Sequence, residues 1–267
     1  MKFFKYHGAG NDFLLADNRN SAVALSSGDV RRLCDRHTGF GADGLMLLES
    51  CPGFDFRMAY WNPDGSTGMM CGNGGRCIVA FANDLGLRSF RFSAPDGPHE
   101  GTVLSKEGNV TMVRLSMKDV AECRRMEEGG FFLDTGTRHY VRFTDDVEKI
   151  DIRQEGSQWR HDPRFSPQGT NVNFVSADGD GIKIRTFEKG VEDETLACGT
   201  GIVASAIASY AYGKVGVHSP AGAVRVRVHA RIAELYVSFI PLGDGSFSSV
   251  LLEGPAEKVG EVISEII

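Results

Sequence analysis

Two copies of one short motif organise this sequence. Residues 71–74 read Cys-Gly-Asn-Gly, residues 198–201 read Cys-Gly-Thr-Gly, and the copies lie about half of the 267-residue chain apart. Each copy introduces an apolar segment, RCIVAFANDLG in the first case and GIVASAIASYAYG in the second. A repeated unit at a fixed offset indicates an internal duplication. We therefore predict two similar halves.

The segment after each motif predicts a buried helix, because a helix without a polar face must be surrounded by protein. Short apolar or alternating runs such as LMLLE, VTMVRLSM and IKIRTF predict strands, and signals such as PDG, EGN, ADGDG and EGP predict the turns between them. The expected fold is α/β of the α+β type, with each half a mixed, mostly antiparallel β-sheet wrapped around one buried central helix. A surface helix is also predicted from Ser26 or Ser27 to Gly39.

The junction between the halves is predicted near the sequence RLSMKD. The first half then covers residues 1–116, and the second covers residues 117–254. The final segment, residues 255–267, is expected to return to the first half as a strand.

Composition excludes several classes of protein. The net charge is −6 without any basic run, which argues against a nucleic-acid partner. No run of about 18 apolar residues is present, so no membrane partner is expected. The first residues lack the apolar segment of a signal peptide, and we expect a cytoplasmic protein with reduced thiols. Residues 39–44 match GxGxxG, but a strand follows them instead of preceding them, so no dinucleotide site is predicted.

Glycine is over-represented, with 33 residues in this chain. An average chain of this length holds about 19. Glycine lets backbone turn sharply or approach a ligand closely. Because several glycines surround the two motifs, much of the excess is expected to line one cleft.

The cysteines of the motifs, Cys71 and Cys198, are candidate catalytic groups. A helix N-terminus favours negative charge, lowers the pKa of a thiol placed there and can bind a carboxylate through its N–H groups. Two such thiols on either side of one carbon can remove a proton from one face and deliver a proton to the other. The alternative is that both are ordinary buried cysteines, which are common in protein cores.

Five segments carry a resemblance to a known family: YHGAGNDF, TGFGADG, WNPDGSTGMMCGNGGRC, GTNVNF and RTFEKGVEDETLACGTG. They resemble diaminopimelate epimerase over nearly the whole chain. The resemblance implies a cofactor-independent isomerase that interconverts LL- and meso-diaminopimelate in lysine and peptidoglycan-precursor biosynthesis, without pyridoxal phosphate, metal or nucleotide. It also implies that Cys71 and Cys198 are the acid–base pair, in a cleft between two pseudo-symmetric halves.

The resemblance further implies a set of substrate-binding residues for diaminopimelate. They are Asn11, Asn62, Gly72, Asn73, Asn171, Glu188, Lys189, Gly199 and Thr200. His139 matches a supporting histidine that neighbours the first thiol. Without the resemblance, the asparagines would be read as turn or strand-end residues and Glu188 as a surface residue. Whether the chain forms a homodimer is left open.

Three residues, in two segments, depart from the family pattern. Lys189 stands where arginine is usual, and Thr137-Arg138 stands where the family has Asn-Pro or Ser-Pro before the histidine. Lysine keeps the positive charge but loses the bidentate fork of arginine. Our hypothesis is that Arg138 or Lys189 supplies the contact to the distal end of the substrate that these changes remove.

Two other functions are considered. A proline or hydroxyproline racemase of the same two-thiol architecture is one, although GNDF and EKGVEDETLACGTG are more similar to the diaminopimelate group. A non-enzymatic redox sensor, in which Cys71 and Cys198 form a regulatory disulfide, is the other. That reading leaves the asparagines and Glu188 without a role.

Overall fold

The computed structural model describes residues 1–213, 215, 217–218 and 222–265. The chain divides into two compact units, the first formed by Met1–Leu115 with Gly254–Ile267 and the second by Ser116–Glu253. The last two residues of the predicted terminal segment 255–267 lie outside the described residues. Of the helices that the structure describes, none is long and apolar enough to cross a membrane.

The secondary structure of the described residues is dominated by strands. The helices are α1 (Ser27–Cys34), α2 (Gly72–Asp84), α3 (Ile152–Arg160) and α4 (Gly199–Ala211). The strands are β1 (Lys2–Gly8), β2 (Asn11–Asp17), β3 (Gly44–Glu49), β4 (Phe56–Trp61), β5 (Arg91–Ala94), β6 (Gly97–Glu107), β7 (Val110–Ser116), β8 (Cys123–Arg125), β9 (Phe131–Asp134), β10 (Arg138–Phe143), β11 (Asn171–Asp178), β12 (Gly181–Glu188), β13 (Asp193–Thr195), β14 (Val217–His218), β15 (Val224–His229), β16 (Glu234–Pro241) and β17 (Phe247–Ile263).

The first unit is a closed ring of strands around α2. Strands β1 to β7 pair in sequence order, and the C-terminal part of β17 pairs with both β7 and β1. Only the β2–β3 and β4–β5 pairs in this ring of described strands are parallel. Helix α2 is buried from Gly72 to Ala82, as its apolar sequence predicts.

The second unit repeats this arrangement around α4. The strand order is β8-β9-β10-β11-β12-β15-β16, followed by the N-terminal part of β17. The β10–β11 and β12–β15 pairs are parallel, and the other neighbours in this order are antiparallel. Residues Ile202 to Ser209 of α4 are buried. The α+β prediction, with mostly antiparallel sheets around buried helices, is confirmed.

Both motif cysteines occupy the N-cap position of their helix. Cys71 precedes α2 and Cys198 precedes α4, and each has extended backbone dihedral angles. The helices begin at the glycine that follows each cysteine, so the Gly-x-Gly residues belong to the first turn of each predicted helix. Each thiol therefore lies at the positive end of a buried helix dipole.

Helix α1 is shorter than its sequence suggests. Ser26 is its N-cap and forms a capping box with Asp29, which matches the predicted start. The predicted end at Gly39 is wrong, because the helix ends at Cys34. The Asp35 side chain accepts hydrogen bonds from the backbone N–H groups of His37 and Thr38, and this local turn replaces the next helical turn.

The sequence patterns do not predict two other elements, helix α3 and the full length of strand β17. Helix α3 contains Gly156 and few apolar residues, yet it forms because a Cβ-free residue lets it pack against Phe187 of β12. The EGP sequence predicts a turn but lies inside β17, which runs unbroken from Phe247 to Ile263. The strand changes partners at this point, from β16 up to Glu253 to β7 from Gly254 onward.

Candidate active site

The thiol of the first unit faces an amide whose orientation is fixed. Cys71 Sγ donates to Asn11 Oδ1 at 3.7 Å. Asn11 Nδ2 donates to Asp43 Oδ2 at 2.7 Å. A carboxylate only accepts hydrogen bonds, so the amide nitrogen must face Asp43 and the amide oxygen must face the sulfur.

An ion-pair network supports Asn11 from behind. Arg36 Nη2 lies 2.8 Å from Asp12 Oδ1 and 2.6 Å from Asp43 Oδ1, and Lys5 Nζ lies 2.8 Å from Asp12 Oδ2. Burial alone would raise the pKa of Asp12, but the hydrogen bonds from Arg36 and Lys5 outweigh it and lower that pKa to about 2. Asp12 therefore stays ionised over the physiological range, and its ion pairs hold the start of β2 in place.

The first turn of α2 is organised by a buried arginine. Arg76 Nη2 donates to Asn73 Oδ1 at 2.9 Å, and Arg76 Nη1 donates to the Gly72 carbonyl at 3.1 Å. Asn73 and Arg76 are both almost inaccessible to solvent. Gly8 of β1 is required here, since a Cβ at that position would lie 2.9 Å from the Asn73 carbonyl oxygen.

Asn62 is held within its own turn. Its Nδ2 donates to Ser66 Oγ at 3.0 Å, and its backbone N–H donates to the Ser66 carbonyl at 2.9 Å. Gly65 closes the same turn with a positive φ of 79°. The side chain of Asn62 is half-buried and lies at the end of β4.

The thiol of the second unit lies beside a triangle of polar groups. Cys198 Sγ and Thr200 Oγ1 are 3.4 Å apart. Thr200 Oγ1 lies 3.0 Å from His139 Nε2 and 3.1 Å from Thr137 Oγ1, and Thr137 Oγ1 lies 2.9 Å from His139 Nε2. Thr137, one of the departures from the family pattern, is thus built into the surroundings of Cys198.

A neighbouring asparagine determines the protonation of His139. Asn173 Nδ2 donates to His139 Nδ1 at 3.0 Å and to the Tyr140 carbonyl at 3.4 Å, while Asn173 Oδ1 accepts from Thr186 Oγ1 at 3.0 Å. His139 Nδ1 is therefore an acceptor, and Nε2 carries the proton of a neutral ring. Complete burial lowers the pKa of His139 to about 3, which keeps the ring neutral at physiological pH.

This tautomer gives the hydroxyl triangle a direction. His139 Nε2–H can donate to Thr200 Oγ1, as can the Thr137 hydroxyl, and Thr200 can then donate its own proton to Cys198 Sγ. A hydroxyl donor stabilises a thiolate more than a thiol. Within this unit His139 is linked to Cys198 through Thr200, and its expected proximity to the first thiol stays a prediction.

Asn171 joins the two segments that carry the remaining predicted residues. Its Nδ2 donates to the Arg138 carbonyl at 3.0 Å and to Thr137 Oγ1 at 3.3 Å, and its Oδ1 accepts from the Lys189 backbone N–H at 2.9 Å. The side chains of Arg138 and Lys189 both donate hydrogen bonds to Gln168. Arg138 Nη1 donates to Gln168 Oε1 at 2.8 Å, and Lys189 Nζ donates to the Gln168 carbonyl at 2.6 Å.

Glu188 lies at the end of β12 and is half-buried. Its Oε2 accepts a hydrogen bond from Thr195 Oγ1 at 2.9 Å, across the β12–β13 pair. Thr195 lies three residues before Cys198, so Glu188 anchors the segment that leads to the second thiol.

Several residues around the two thiols are missing from the sequence-based set. Asn173, Arg76, Asp43 and Gln168 each orient a predicted residue. Asn173 could have been found, because residues two apart on a strand share a face and Asn171 was already a candidate. Among the described residues, no group of three or more His, Cys, Asp or Glu side chains is arranged to hold a metal ion.

Comparison with known proteins identifies the family. The family model of diaminopimelate epimerase matches residues 3–120 and 131–238. The chain belongs to the diaminopimelate epimerase family. It is 40% identical over 265 residues to diaminopimelate epimerase of Flavobacterium psychrophilum, covering 98% of this chain and 99% of that protein. It is 44% identical over 261 residues to that of Chlorobaculum tepidum, covering 94% and 96%.

Solved structures of other proteins share the fold at low sequence identity. A phenazine biosynthesis protein of the PhzF family from Bacillus anthracis has a TM-score of 0.72 at 14% identity, covering 100% of this chain and 99% of that one. A hydroxyproline epimerase from Agrobacterium vitis has a TM-score of 0.68 at 15% identity, covering 98% and 90%. At these identities the likeness shows the fold alone.

Proposed function

We propose that this member of the diaminopimelate epimerase family interconverts LL-2,6-diaminopimelate and meso-diaminopimelate without a cofactor, as a step of lysine and peptidoglycan-precursor biosynthesis. One observation carries the proposal. Each unit places one thiol, Cys71 or Cys198, at the N-cap of a buried helix, in a chain that is 40% and 44% identical to two diaminopimelate epimerases.

The chemistry is a two-base proton transfer at one α carbon. The thiolate of one cysteine removes the α proton, and the electron pair of the broken C–H bond stays on the substrate as a carbanion. The thiol of the other cysteine then delivers its proton to the opposite face and becomes a thiolate. Configuration inverts, and the two sulfurs exchange protonation states. General acid–base catalysis of this kind contributes about 10²- to 10⁴-fold to the rate.

The helix N-termini would hold the carboxylate next to the reacting carbon. We assign this role to the backbone N–H groups of Gly72-Asn73 and Gly199-Thr200, because helix N-termini bind anions and stabilise the charge that develops beside them. Thr200 has a second role in this proposal, since its hydroxyl lies 3.4 Å from Cys198 Sγ and can stabilise the thiolate.

The remaining candidates would bind the polar groups of the substrate. Glu188 is proposed to bind the α-ammonium group, since it is a half-buried carboxylate beside the segment leading to Cys198. Asn11, Asn62 and Asn171 are proposed as amide ligands, and Arg138 and Lys189 as the cations that bind the distal carboxylate. Gln168 supports the last assignment, because it orders both cationic side chains.

The proposal is tested by following stereochemistry with purified protein. LL-diaminopimelate is expected to give the meso isomer, and proline and trans-4-hydroxyproline are expected to remain unchanged. Cys71→Ala and Cys198→Ala should each abolish the reaction, whereas Cys51→Ala, at the half-buried Cys51, should not. Turnover of proline instead would favour the racemase, and no turnover of any substrate by reduced protein would contradict the proposal.

A further inference from the structure

Arg76 is the most unusual charged residue of the first unit. It follows Cys71 by five residues in α2, and its side chain is fully buried, with 0% exposure. Among the described residues, its hydrogen-bond acceptors are neutral: the Gly72 carbonyl at 3.1 Å, Asn73 Oδ1 at 2.9 Å and the Pro255 carbonyl at 3.3 Å. A buried charge normally has a partner of opposite charge. Without one, the loss of its hydration costs on the order of several kcal/mol.

The partner must come from the titratable groups around Arg76. Among the described residues, the two that bear on its charge are Cys77 and Cys71. Burial lowers the pKa of the guanidinium, and both thiols oppose that change. Arginine nevertheless keeps its proton in proteins, so the cation is permanent.

Cys77 does not provide the negative charge. Its side chain is fully buried, and burial raises the pKa of this thiol far above its usual range despite the neighbouring arginine. Cys71 is only half-buried and lies at the helix N-terminus, where the N–H groups also favour an anion. The negative charge that complements Arg76 is therefore best placed on Cys71.

Asn11 and the two carboxylates beyond it do not reverse this bias. Asn11 Oδ1 accepts from the thiol at 3.7 Å, which favours the protonated form, but a thiol is a weak donor. Asp12 and Asp43 beyond it are matched by the cations Lys5 and Arg36. The neighbouring carboxylates are thus neutralised, while Arg76 is not.

The second helix lacks this charge. The residue five positions after Cys198 is Val203, which is fully buried. Cys198 has the hydroxyl of Thr200 beside it instead, 3.4 Å from its sulfur. This hydroxyl can donate to a Cys198 thiolate, but it carries no net charge and stabilises the thiolate less than a buried cation does. The two halves therefore repeat the thiol and the helix but not the cation.

We propose that Arg76 is a positioning residue that acts through Cys71: its buried charge stabilises the Cys71 thiolate, so that in the enzyme without substrate Cys71 is the thiolate and Cys198 the thiol. This inference rests on the proposed function for the use of that thiolate in proton removal. It explains how two similar thiols are kept in different protonation states, as a two-base reaction requires.

The test is the pH dependence of alkylation, measured without substrate. Only a thiolate displaces iodide from iodoacetamide, and peptide mass spectrometry reports Cys71 and Cys198 separately in the same sample. In the wild-type protein we expect the midpoint of Cys71 alkylation to lie at lower pH than that of Cys198. The reverse order would overturn the proposal, whether or not the protein proves to be an epimerase.

Substitution of Arg76 isolates the effect of its charge. Arg76→Met should slow alkylation of Cys71 near neutral pH about tenfold or more, since one pH unit in the midpoint is a tenfold change in thiolate. Alkylation of Cys198 should stay within about twofold, and Arg76→Lys should restore most of the Cys71 rate. Unchanged Cys71 alkylation in folded Arg76→Met protein would overturn the proposal. If Arg76→Met does not fold, the proposal is tested by the order of the two alkylation midpoints in the wild-type protein and by the Cys71 alkylation rate of Arg76→Lys.

Discussion

Asn173 Nδ2 donates a hydrogen bond to His139 Nδ1 at 3.0 Å, and this contact determines which imidazole nitrogen carries the proton. The proton must be on Nε2, which faces the hydroxyls of Thr137 and Thr200. A buried histidine thereby serves as a neutral donor to the group beside Cys198. The same asparagine is itself oriented by Thr186, whose hydroxyl donates to Asn173 Oδ1 at 3.0 Å.

The Thr200 hydroxyl should matter for turnover more than for folding. Thr200→Val keeps the shape of the side chain but removes the donor to Cys198 Sγ, and we expect kcat to fall about 10- to 100-fold, the value of one hydrogen bond to a charged group. Thr200→Ser retains the hydroxyl and should stay within about threefold of wild type. Steady-state kinetics in both directions measures this, and wild-type kcat in Thr200→Val would reject the role.

His139 should make the protein sensitive to mild acid. Its pKa is lowered by burial from 6.5 to about 3, so the unfolded chain binds more protons than the folded chain between these pH values. The free energy of unfolding therefore rises with pH across this window and is lost on acidification, by at most about 1.4 kcal/mol per pH unit. Asp12, with its pKa lowered to about 2, contributes only at more acidic pH.

Thermal melting at about pH 7 and about pH 5 measures this contribution. The decrease in melting temperature between the two should be smaller for His139→Asn than for wild type. His37→Gln changes an exposed histidine and should melt like wild type at both values. An equal decrease in wild type and His139→Asn would show that His139 is not the group responsible.

The last glycine of the Cys-Gly-x-Gly motif has different surroundings in the two halves. A Cβ at Gly201 would lie 2.4 Å from Asn173 Oδ1 and 3.3 Å from Cys198 Cβ, whereas a Cβ at the equivalent Gly74 would lie 3.4 Å from Met46 Sδ. We expect Gly201→Ala to destabilise the protein by about 1–3 kcal/mol through overpacking. Gly74→Ala should be within about 1 kcal/mol of wild type, because alanine also favours the helix.

Denaturant unfolding of the two glycine variants, with epimerase assays, measures this contrast. Gly201→Ala should also lose activity, since it displaces the amide that holds His139. Equal stability of the two variants would mean that the fit around Gly201 is looser than the contacts indicate.

Arg138 and Lys189 should act on substrate affinity. Both side chains are held by Gln168, and if they bind the distal carboxylate, Arg138→Ala or Lys189→Ala should raise KM about tenfold or more, with a smaller effect on kcat. Lys149→Ala, at a highly exposed lysine in the same unit, is the control. Unchanged kinetics in both variants would end the hypothesis that either residue replaces the missing family contact.

Sequence reasoning worked best where local chemistry decides the structure. The Cys-Gly-x-Gly motifs and their apolar segments predicted both buried helices and the location of Cys71 and Cys198 at the helix N-termini. Sequence reasoning was wrong where a single side chain or a distant pairing strand determines where an element ends. The Asp35 side chain ends α1 early, and β17 continues through Pro255 because it exchanges one pairing strand for another.

The sequence-based prediction assigns much of the glycine excess to one cleft, but surface turns account for many of these glycines. Sixteen of the described glycines have positive φ, and many of them, such as Gly53 and Gly245, have open space where a Cβ would stand. These residues serve surface turns of a strand-rich fold. Close approach near the thiols is limited to a few positions, of which Gly201 and Gly8 are the clearest. Spacing could place Asn173 on the same strand face as Asn171, but its contact with His139 of the neighbouring strand depends on tertiary structure, as does the contact of Arg76 with the Pro255 carbonyl.

The two-base mechanism is tested most directly by proton exchange in heavy water. LL-diaminopimelate is incubated with the protein in D₂O, and deuterium at the α carbon is measured early in the reaction, in recovered substrate and in the meso product. Because the second thiol is equilibrated with solvent, the product should carry deuterium at the inverted carbon while recovered LL isomer stays protiated. Cys71→Ala and Cys198→Ala together should abolish incorporation. Product that retains the original proton, or exchange that survives in the double variant, would contradict the mechanism.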